Sequence, residues 1–199
     1  MIERVLISVY DKSGLEQLVE ALDGYGVEIV SSGGTARRIR ELGYAGLVEV
    51  SEYTGHPESP AGLVKTLHPR VHGGLLMDRG DPDHRRWMDE NGVKPIDVVV
   101  SNLYPFEKVT EEGADLETAA ENIDIGGPSM VRSAAKAALL YDSVLIVTEP
   151  AQYAEVIGTL SENDGEPTTE LRRRYALKAF KRTAGYDSAI VSYLEGSEE

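Results

Sequence analysis

Short β-branched runs alternate with longer segments of helical periodicity along this chain, and this alternation restricts the fold more than any other feature. Residues 4–9 form a nearly continuous apolar run, and leucine or valine then recurs at helical spacing over residues 15–22. Buried strands that alternate with amphipathic helices are typical of a parallel sheet covered by helices. We therefore predict an α/β fold, a Rossmann-like three-layer sandwich in which helices flank a parallel sheet.

The remaining elements follow from the same periodicities. We predict further strands at residues 27–30, 47–50, 96–103 and 143–148. We predict helices that end at Gly24, span 35–42 and 116–122, open at Pro128, and cover 151–160 and 170–193. Residues 51–77 are rich in glycine, proline and histidine without a clear period, so we expect an irregular functional segment there. The chain fits one domain, residues 1–199, with a frayed acidic tail from about residue 195.

The chain is strongly acidic. It has 34 acidic and 20 basic residues, which give a formal net charge of −14. Most of such a surface would repel a polyanion, so we expect no nucleic-acid partner. Lysine is scarce beside the acidic residues, which indicates either a halophilic host with high internal salt or an ordinary acidic protein.

The composition also limits location and redox chemistry. The absence of cysteine excludes disulfides, thiolate metal sites and cysteine nucleophiles. No apolar run approaches the roughly 20 residues of a membrane span, so we expect no membrane partner. The first residues are typical of a strand rather than a secretion signal, and we predict a cytoplasmic protein.

Two strand-to-helix turns have the residues of an anion site. One turn offers glycines and free helix-start amides, and its residues are Ser32, Gly33, Gly34 and Thr35. The loop after the first strand carries Lys12 and would face the same crevice at the carboxyl edge of a parallel sheet. The alternatives are a tight turn in the first case and a helix cap with a solvated lysine in the second.

Three further segments carry chemically useful side chains. Asp124, Gly126 and Gly127 precede a predicted helix, and Lys136 lies on the polar face of that helix, where a solvent-facing lysine is the alternative. Lys65 and Thr66 lie in the irregular segment. His68 and His72 have the spacing of metal ligands, but Pro69 and the absence of a third ligand argue against a metal. Because lysine is scarce, we expect Lys12, Lys65 and Lys136 to be functional.

The ordered motifs resemble one known family. They are Asp11-Lys12-Ser13-Gly14, Ser32-Gly33-Gly34-Thr35, Val64-Lys65-Thr66-Leu67-His68-Pro69, Asn102-Leu103-Tyr104-Pro105-Phe106, Ile123-Asp124-Ile125-Gly126-Gly127 and Ala134-Ala135-Lys136. Together they make the chain similar to the IMP cyclohydrolases, which form the N-terminal half of the bifunctional purine biosynthesis proteins. The resemblance extends from residue 6 to about residue 193.

The resemblance implies a methylglyoxal-synthase-like fold, a homodimer, and no metal or redox cofactor. It also implies the last step of de novo purine biosynthesis, in which 5-formamidoimidazole-4-carboxamide ribonucleotide loses water and closes to IMP. Only a few residues follow the last predicted helix, so we expect no formyltransferase activity and a separate formylating enzyme in the same pathway.

Site residues follow from the resemblance, position by position. It implies a catalytic set of Lys65, Tyr104, Asp124 and Lys136, with the proton roles left open. It implies that the 5′-phosphate is held by Lys12, Ser32, Gly34 and Thr35. It implies base contacts from Thr66, Asn102 and Gly126, with Ser8, Gly33 and Gly127 completing the substrate-binding residues.

Two departures and two alternatives qualify the resemblance. Leu63 stands where the family commonly has arginine, with Arg70 as a candidate replacement, and Tyr10 stands where a second serine is usual. A non-catalytic nucleotide-sensing module would need the phosphate loops but not the four catalytic side chains. Methylglyoxal synthase shares the fold but would not explain the motifs around Lys65 and Tyr104.

Overall fold

A computed structural model describes residues 1–196, which fold around one five-stranded parallel sheet. Its strand order is β3-β2-β1-β4-β5. The strands are β1 (Arg4–Val9), β2 (Glu28–Ser31), β3 (Leu47–Glu49), β4 (Val98–Asn102) and β5 (Leu145–Val147). All four neighbouring pairs are parallel, which confirms the predicted sheet.

The strand order places a crevice at the carboxyl edge of the sheet. From β1 the chain proceeds outward through β2 to β3, and it then returns to the other side of β1 to form β4 and β5. The direction of winding therefore reverses between β1 and β4, where Val9 is paired with Asn102. In open parallel sheets, ligands bind outside the carboxyl ends of the strands at such a reversal.

Helices cover both faces of the sheet, as predicted. They are α1 (Leu15–Asp23), α2 (Gly33–Glu41), α3 (Val50–Thr54), α4 (Pro69–Leu76), α5 (Pro82–Glu90), α6 (Phe106–Glu111), α7 (Leu116–Glu121), α8 (Gly126–Tyr141), α9 (Tyr153–Glu162) and α10 (Thr169–Gly196). One apolar core joins the sheet to α4, α8 and α10, and the other joins it to α1, α2 and α9. Within residues 1–196, every helix is too short or too polar to span a bilayer.

The prediction of an irregular segment at residues 51–77 was wrong in part. That segment contains most of α3, a 3₁₀ turn at Pro60–Gly62, and all of α4. Helix α4 begins at Pro69, and the His68 imidazole caps it by accepting a hydrogen bond from the Arg70 amide at 3.1 Å. A proline at the first helical position lacks the amide hydrogen that would otherwise need a partner, so Pro69 starts this helix.

Two predicted boundaries also differ from the structure. Helix α8 begins at Gly126, two residues before Pro128, because the Asp124 side chain accepts the Gly127 amide at its start. Helix α10 continues through Glu195 to Gly196, so these two residues of the predicted frayed tail are helical. Residues 197–199, the rest of that tail, lie outside the described residues.

Candidate active site

The turn between β2 and α2 has the features of an anion site. Gly33 has a φ of 56°, a left-handed conformation that favours glycine. The Ser32 hydroxyl is buried, with the residue only 7% exposed, and no group in residues 1–196 forms a hydrogen bond with it. The Thr35 hydroxyl is already bonded to the backbone of Val9, so Thr35 can offer a ligand only its amide. A bound anion would satisfy the Ser32 hydroxyl and the free amides at the start of α2.

Two lysines converge on this turn from different loops. Lys12 Nζ lies 3.9 Å from the position that a Cβ would occupy at Gly34. Lys65 Nζ lies 3.0 Å from the corresponding position at Gly33. Two ammonium groups beside a helix N-terminus create a local positive field on a chain whose formal charge is −14. The sequence predicted that Lys12 would bind phosphate, and the structure brings Lys65 to the same turn.

Lys65 has an acidic neighbour that the sequence analysis missed. The carboxylate of Glu58 lies 3.3 Å from Lys65 Nζ. Ser32, Glu58 and Lys65 line one cavity, together with His56 and His68. No motif pointed to Glu58, because the pairing depends on the turn at Pro60–Gly62 that brings residues 58 and 65 together.

Asp124 is a partly buried carboxylate held in place by backbone groups. Its Oδ1 accepts the Gly127 amide at 2.8 Å, and its own amide donates to the Tyr186 phenol at 2.7 Å. Burial raises the pKa of Asp124, and backbone hydrogen bonds from Gly127 and Tyr104 partly oppose that rise. The carboxylate is therefore easier to protonate than an exposed aspartate, and it is fixed in place by the loop that starts α8.

Close backbone approach joins the Lys65 loop to the Asp124 loop. A Cβ at Gly126 would lie 2.6 Å from Thr66 Oγ1, well inside van der Waals contact. A Cβ at Gly127 would collide with the Asp124 carboxylate and lie 2.8 Å from a Leu103 methyl. Both glycines are therefore needed for packing, and they bring the lysine, the threonine and the aspartate to one side of the crevice.

Asn102 holds the loop that carries Lys12. Its Oδ1 accepts the amides of Tyr10 and Asp11 at 2.7 and 2.9 Å, and its Nδ2 donates to the Asp11 carbonyl at 2.8 Å. The side-chain amide is thus engaged at both ends. Its Nδ2 carries a second hydrogen, so Asn102 can hold this loop and still donate the base contact expected from the resemblance.

Aromatic and aliphatic side chains surround the mouth of the crevice. Tyr104 is about half exposed, and its ring packs edge-on against that of Tyr10 with centroids 5.6 Å apart. Leu63 is exposed. Arg70 does not replace the missing family arginine in this structure, because its guanidinium bonds the carbonyls of Asn91 and Tyr53.

The structure does not bring Lys136 together with the other three predicted catalytic residues in one copy. It lies ten residues along α8 from Gly126, which corresponds to about 15 Å along the helix axis. The groove around it lies on the outer surface of α8 and α10, and it is lined by Leu76, Arg132, Ser133, Leu139, Leu140 and Phe180. Lys136 lies on the exposed face of α8, which also carries Leu139 and Leu140, and the sequence could not show how far along the helix the crevice reaches.

A partly buried histidine contacts α8. His72 Nδ1 lies 2.9 Å from Ser133 Oγ. Burial lowers the pKa of His72, and an interaction with the Thr66 backbone partly opposes that change. The hypothesis that His68 and His72 are not a metal pair agrees with their positions, since His68 caps α4 and His72 faces α8.

Two family models match this chain. The family model described as the MGS-like domain matches residues 14–129, more than half of the chain. The chain belongs to the MGS-like family. In this MGS-like chain, the matched region includes the turn at residues 32–35, Lys65, Tyr104 and Asp124, and Lys12 lies two residues before it. A second model, the AICARFT/IMPCHase bienzyme, matches residues 134–199, which include Lys136.

The curated relatives of this MGS-like chain are longer proteins. The chain is 53% identical over 194 residues to the bifunctional purine biosynthesis protein PurH of Magnetococcus marinus. The aligned region covers 97% of this chain and 36% of that protein. It is 49% identical to PurH of Persephonella marina, with 96% and 36% covered. The chain therefore spans about a third of the length of these relatives.

A solved structure has the same fold over a similar length. It is described as the crystal structure of ForH, and it matches with a TM-score of 0.82 at 29% identity. The match covers 98% of this chain and 100% of that one. The MGS-like unit and the final helix α10 are thus matched together in one chain.

Proposed function

We propose that this protein is an IMP cyclohydrolase, which closes 5-formamidoimidazole-4-carboxamide ribonucleotide to IMP with loss of water. The observation that carries the proposal is the contact between Thr66 and Gly126, which joins the two-lysine anion turn to the partly buried carboxylate of Asp124. An identity of 53% to a PurH protein over nearly the whole chain supports the same activity.

Ring closure needs a group that accepts a proton from the carboxamide nitrogen and a group that donates to the formyl oxygen. The carboxamide nitrogen attacks the formyl carbon of the same molecule, a C–N bond forms, and the formyl oxygen leaves as water after taking up protons. The nitrogen lone pair is delocalised, so a nearby group must accept its proton, and a donor must stabilise the formyl oxygen. Both reacting groups are in one substrate, so the enzyme has mainly to select the conformer and move protons.

Residues of the crevice can bind the phosphate, accept the proton and donate to the formyl oxygen. The free amides of α2, the Ser32 hydroxyl and Lys12 would hold the 5′-phosphate. Asp124 is a partly buried carboxylate with a raised pKa, which suits it to accept a proton from the carboxamide. Lys65 and Tyr104 carry the donors that could stabilise the formyl oxygen and deliver protons to it.

We further propose that a homodimer completes the site. Lys136 is exposed and distant from Asp124 in one copy, so a catalytic role requires it to enter the crevice of a second copy. Its groove is flanked by exposed apolar side chains of α8 and α10, including Leu139, Leu140 and Leu177. Contiguous apolar side chains of this kind are typical of an interface between subunits.

The proposal is limited to ring closure by residues 1–199. Formyl transfer is assigned to a separate catalytic unit that supplies the formylated nucleotide, and the cytoplasm is the proposed location. No metal or redox cofactor takes part in the proposed steps. The acidic composition is proposed to reflect adaptation to salt, which a stability measurement can test directly.

The activity can be tested by product analysis. Purified protein is incubated with the formamido ribonucleotide, and the product is identified by mass spectrometry and by co-elution with IMP. We expect conversion to a species lighter by one water. A parallel incubation with the unformylated nucleotide and a formyl-folate donor should give no IMP, and IMP formed there would contradict the assignment of formyl transfer to another unit.

A further inference from the structure

The ion pair between Glu58 and Lys65 lies inside the anion site. The two charged atoms are 3.3 Å apart, and the side chains are 46% and 24% exposed. The turn at Gly62, with a φ of 68°, encloses the pair. A Cβ at Gly62 would lie 2.9 Å from Glu58 Oε1 and 3.1 Å from Lys65 Nζ. A glycine at this position therefore leaves room for the carboxylate and the ammonium group to meet.

The same ammonium group also faces the turn that would bind the substrate's phosphate. Lys65 Nζ lies 3.0 Å from the Cβ position of Gly33, and Ser32, Glu58 and Lys65 line one cavity. The buried Ser32 hydroxyl lacks a hydrogen-bond partner throughout the described chain, so it is free to bind a ligand there. The Glu58 carboxylate and a phosphate bound at the turn would thus both lie close to the Lys65 ammonium group.

We propose that Glu58 is a positioning residue for Lys65: it holds the ammonium group beside the anion turn before the substrate arrives, and it releases that group when the substrate's phosphate binds at the turn. The inference rests on the proposed function, because it concerns the anion site of that same reaction. Glu58 would keep the lysine side chain ordered and directed at the turn, and it would compete with the phosphate for its charge.

The strength of the pair fits a reversible exchange. Partly exposed ion pairs contribute little, so an anion bound by helix amides, a serine hydroxyl and Lys12 can displace the Glu58 carboxylate. Until it is displaced, the carboxylate also repels the arriving phosphate. Removal of the Glu58 charge should therefore strengthen anion binding, whereas loss of a merely structural residue would weaken it or leave it unchanged.

The test measures anion affinity by calorimetry with inorganic phosphate and with ribose 5-phosphate. Glu58→Gln keeps the shape of the side chain and removes its charge. We expect the Kd of both probes to fall by about threefold to fivefold, the equivalent of one weak ion pair. Glu52→Gln is the matched control, since Glu52 is an exposed carboxylate of α3 that does not line the cavity, and it should leave Kd nearly unchanged.

A second pair of variants assigns the effect to Lys65. In a Lys65→Ala background, titrated at phosphate concentrations high enough to measure weak binding, Glu58→Gln should no longer lower the Kd. The proposal is overturned if Glu58→Gln binds no tighter than Glu52→Gln, or if the gain persists without Lys65. Neither inorganic phosphate nor ribose 5-phosphate carries the base, so the change in Kd does not depend on ring closure. Failure of the wild-type protein to make IMP would contradict only the proposed function.

Discussion

The backbone amide of Asp124 donates a hydrogen bond to the phenolic oxygen of Tyr186 at 2.7 Å, and this bond ties the loop before α8 to the long helix α10. The same phenol lies 3.3 Å from the Asn122 carbonyl and donates to it. One side chain of the C-terminal helix therefore satisfies a donor and an acceptor of the loop that carries the site's partly buried carboxylate.

Tyr186→Phe should loosen this loop. It leaves one amide and one carbonyl without their partner, so we expect the free energy of unfolding to fall by about 1–3 kcal/mol. Turnover should fall while the Kd of inorganic phosphate stays unchanged, because the anion turn lies on α2. Three measurements on one preparation check this. Urea denaturation gives the free energy of unfolding, steady-state kinetics gives the turnover, and calorimetry gives the Kd of phosphate. A variant with wild-type turnover would show that the bond does not position Asp124.

Asp124→Asn should separate activity from stability. Because burial raises the pKa of Asp124, the folded state disfavours its charge once the pH exceeds the ordinary aspartate value of about 3.9. Asparagine still accepts the Gly127 amide and carries no charge. We expect the variant to lose about 10² to 10⁴-fold in kcat and to be as stable as the wild type or more stable near neutral pH.

The sign of that stability difference can be checked with pH. A raised carboxyl pKa destabilises the folded state at a pH above the unfolded value, and the penalty disappears as the pH falls below it. The advantage of Asp124→Asn should therefore shrink in denaturation experiments moved from about pH 7 to about pH 3.5. An advantage that grows with acidity would contradict the account.

The dimer can be tested by complementation between two inactive variants. We expect Lys65→Ala and Lys136→Ala each to abolish most turnover without unfolding the protein, because neither creates a core cavity. If each site takes Lys65 from one copy and Lys136 from the other, a mixed dimer has one intact site. Random reassembly of equal amounts should then restore about a quarter of wild-type activity. No recovery after verified subunit exchange would contradict a shared site.

The acidic composition predicts a dependence on salt. With a formal charge of −14, self-repulsion should be screened as KCl rises, and the Tm should increase steeply toward molar concentrations if the protein is adapted to salt. The measurement is a series of thermal melts in KCl with sodium chloride as a control for ion identity. A Tm that does not change over that range would identify an ordinary acidic protein.

The sheet could be predicted from sequence because its strands are buried on both faces and therefore read as apolar runs, as in residues 98–100. Helix α4 could not be predicted, because its cap is a histidine and its first turn holds a proline, features that also occur in loops. Pairings between distant segments, such as Asp124 with Tyr186, depend on tertiary packing and leave no local pattern.

The candidate site, like the fold, could be predicted where a local sequence pattern marks it, and it could not be predicted where it depends on tertiary contacts. The turn at residues 32–35 was identified from its glycines and its place between a strand and a helix. The use of Asn102 to hold the Lys12 loop, and the distance of Lys136 from the crevice, depend on the way the chain packs. The sequence alone could not reveal Glu58, because its importance lies entirely in its contact with Lys65.

The central claim is ring closure, and the most direct measurement follows the ultraviolet change on purine formation when wild-type protein is added to the formamido ribonucleotide. The account predicts a rate proportional to enzyme concentration, and it predicts that Lys65→Ala prepared in parallel is nearly inactive. A wild-type rate that does not exceed the rate without enzyme, from folded protein at saturating substrate, would contradict it.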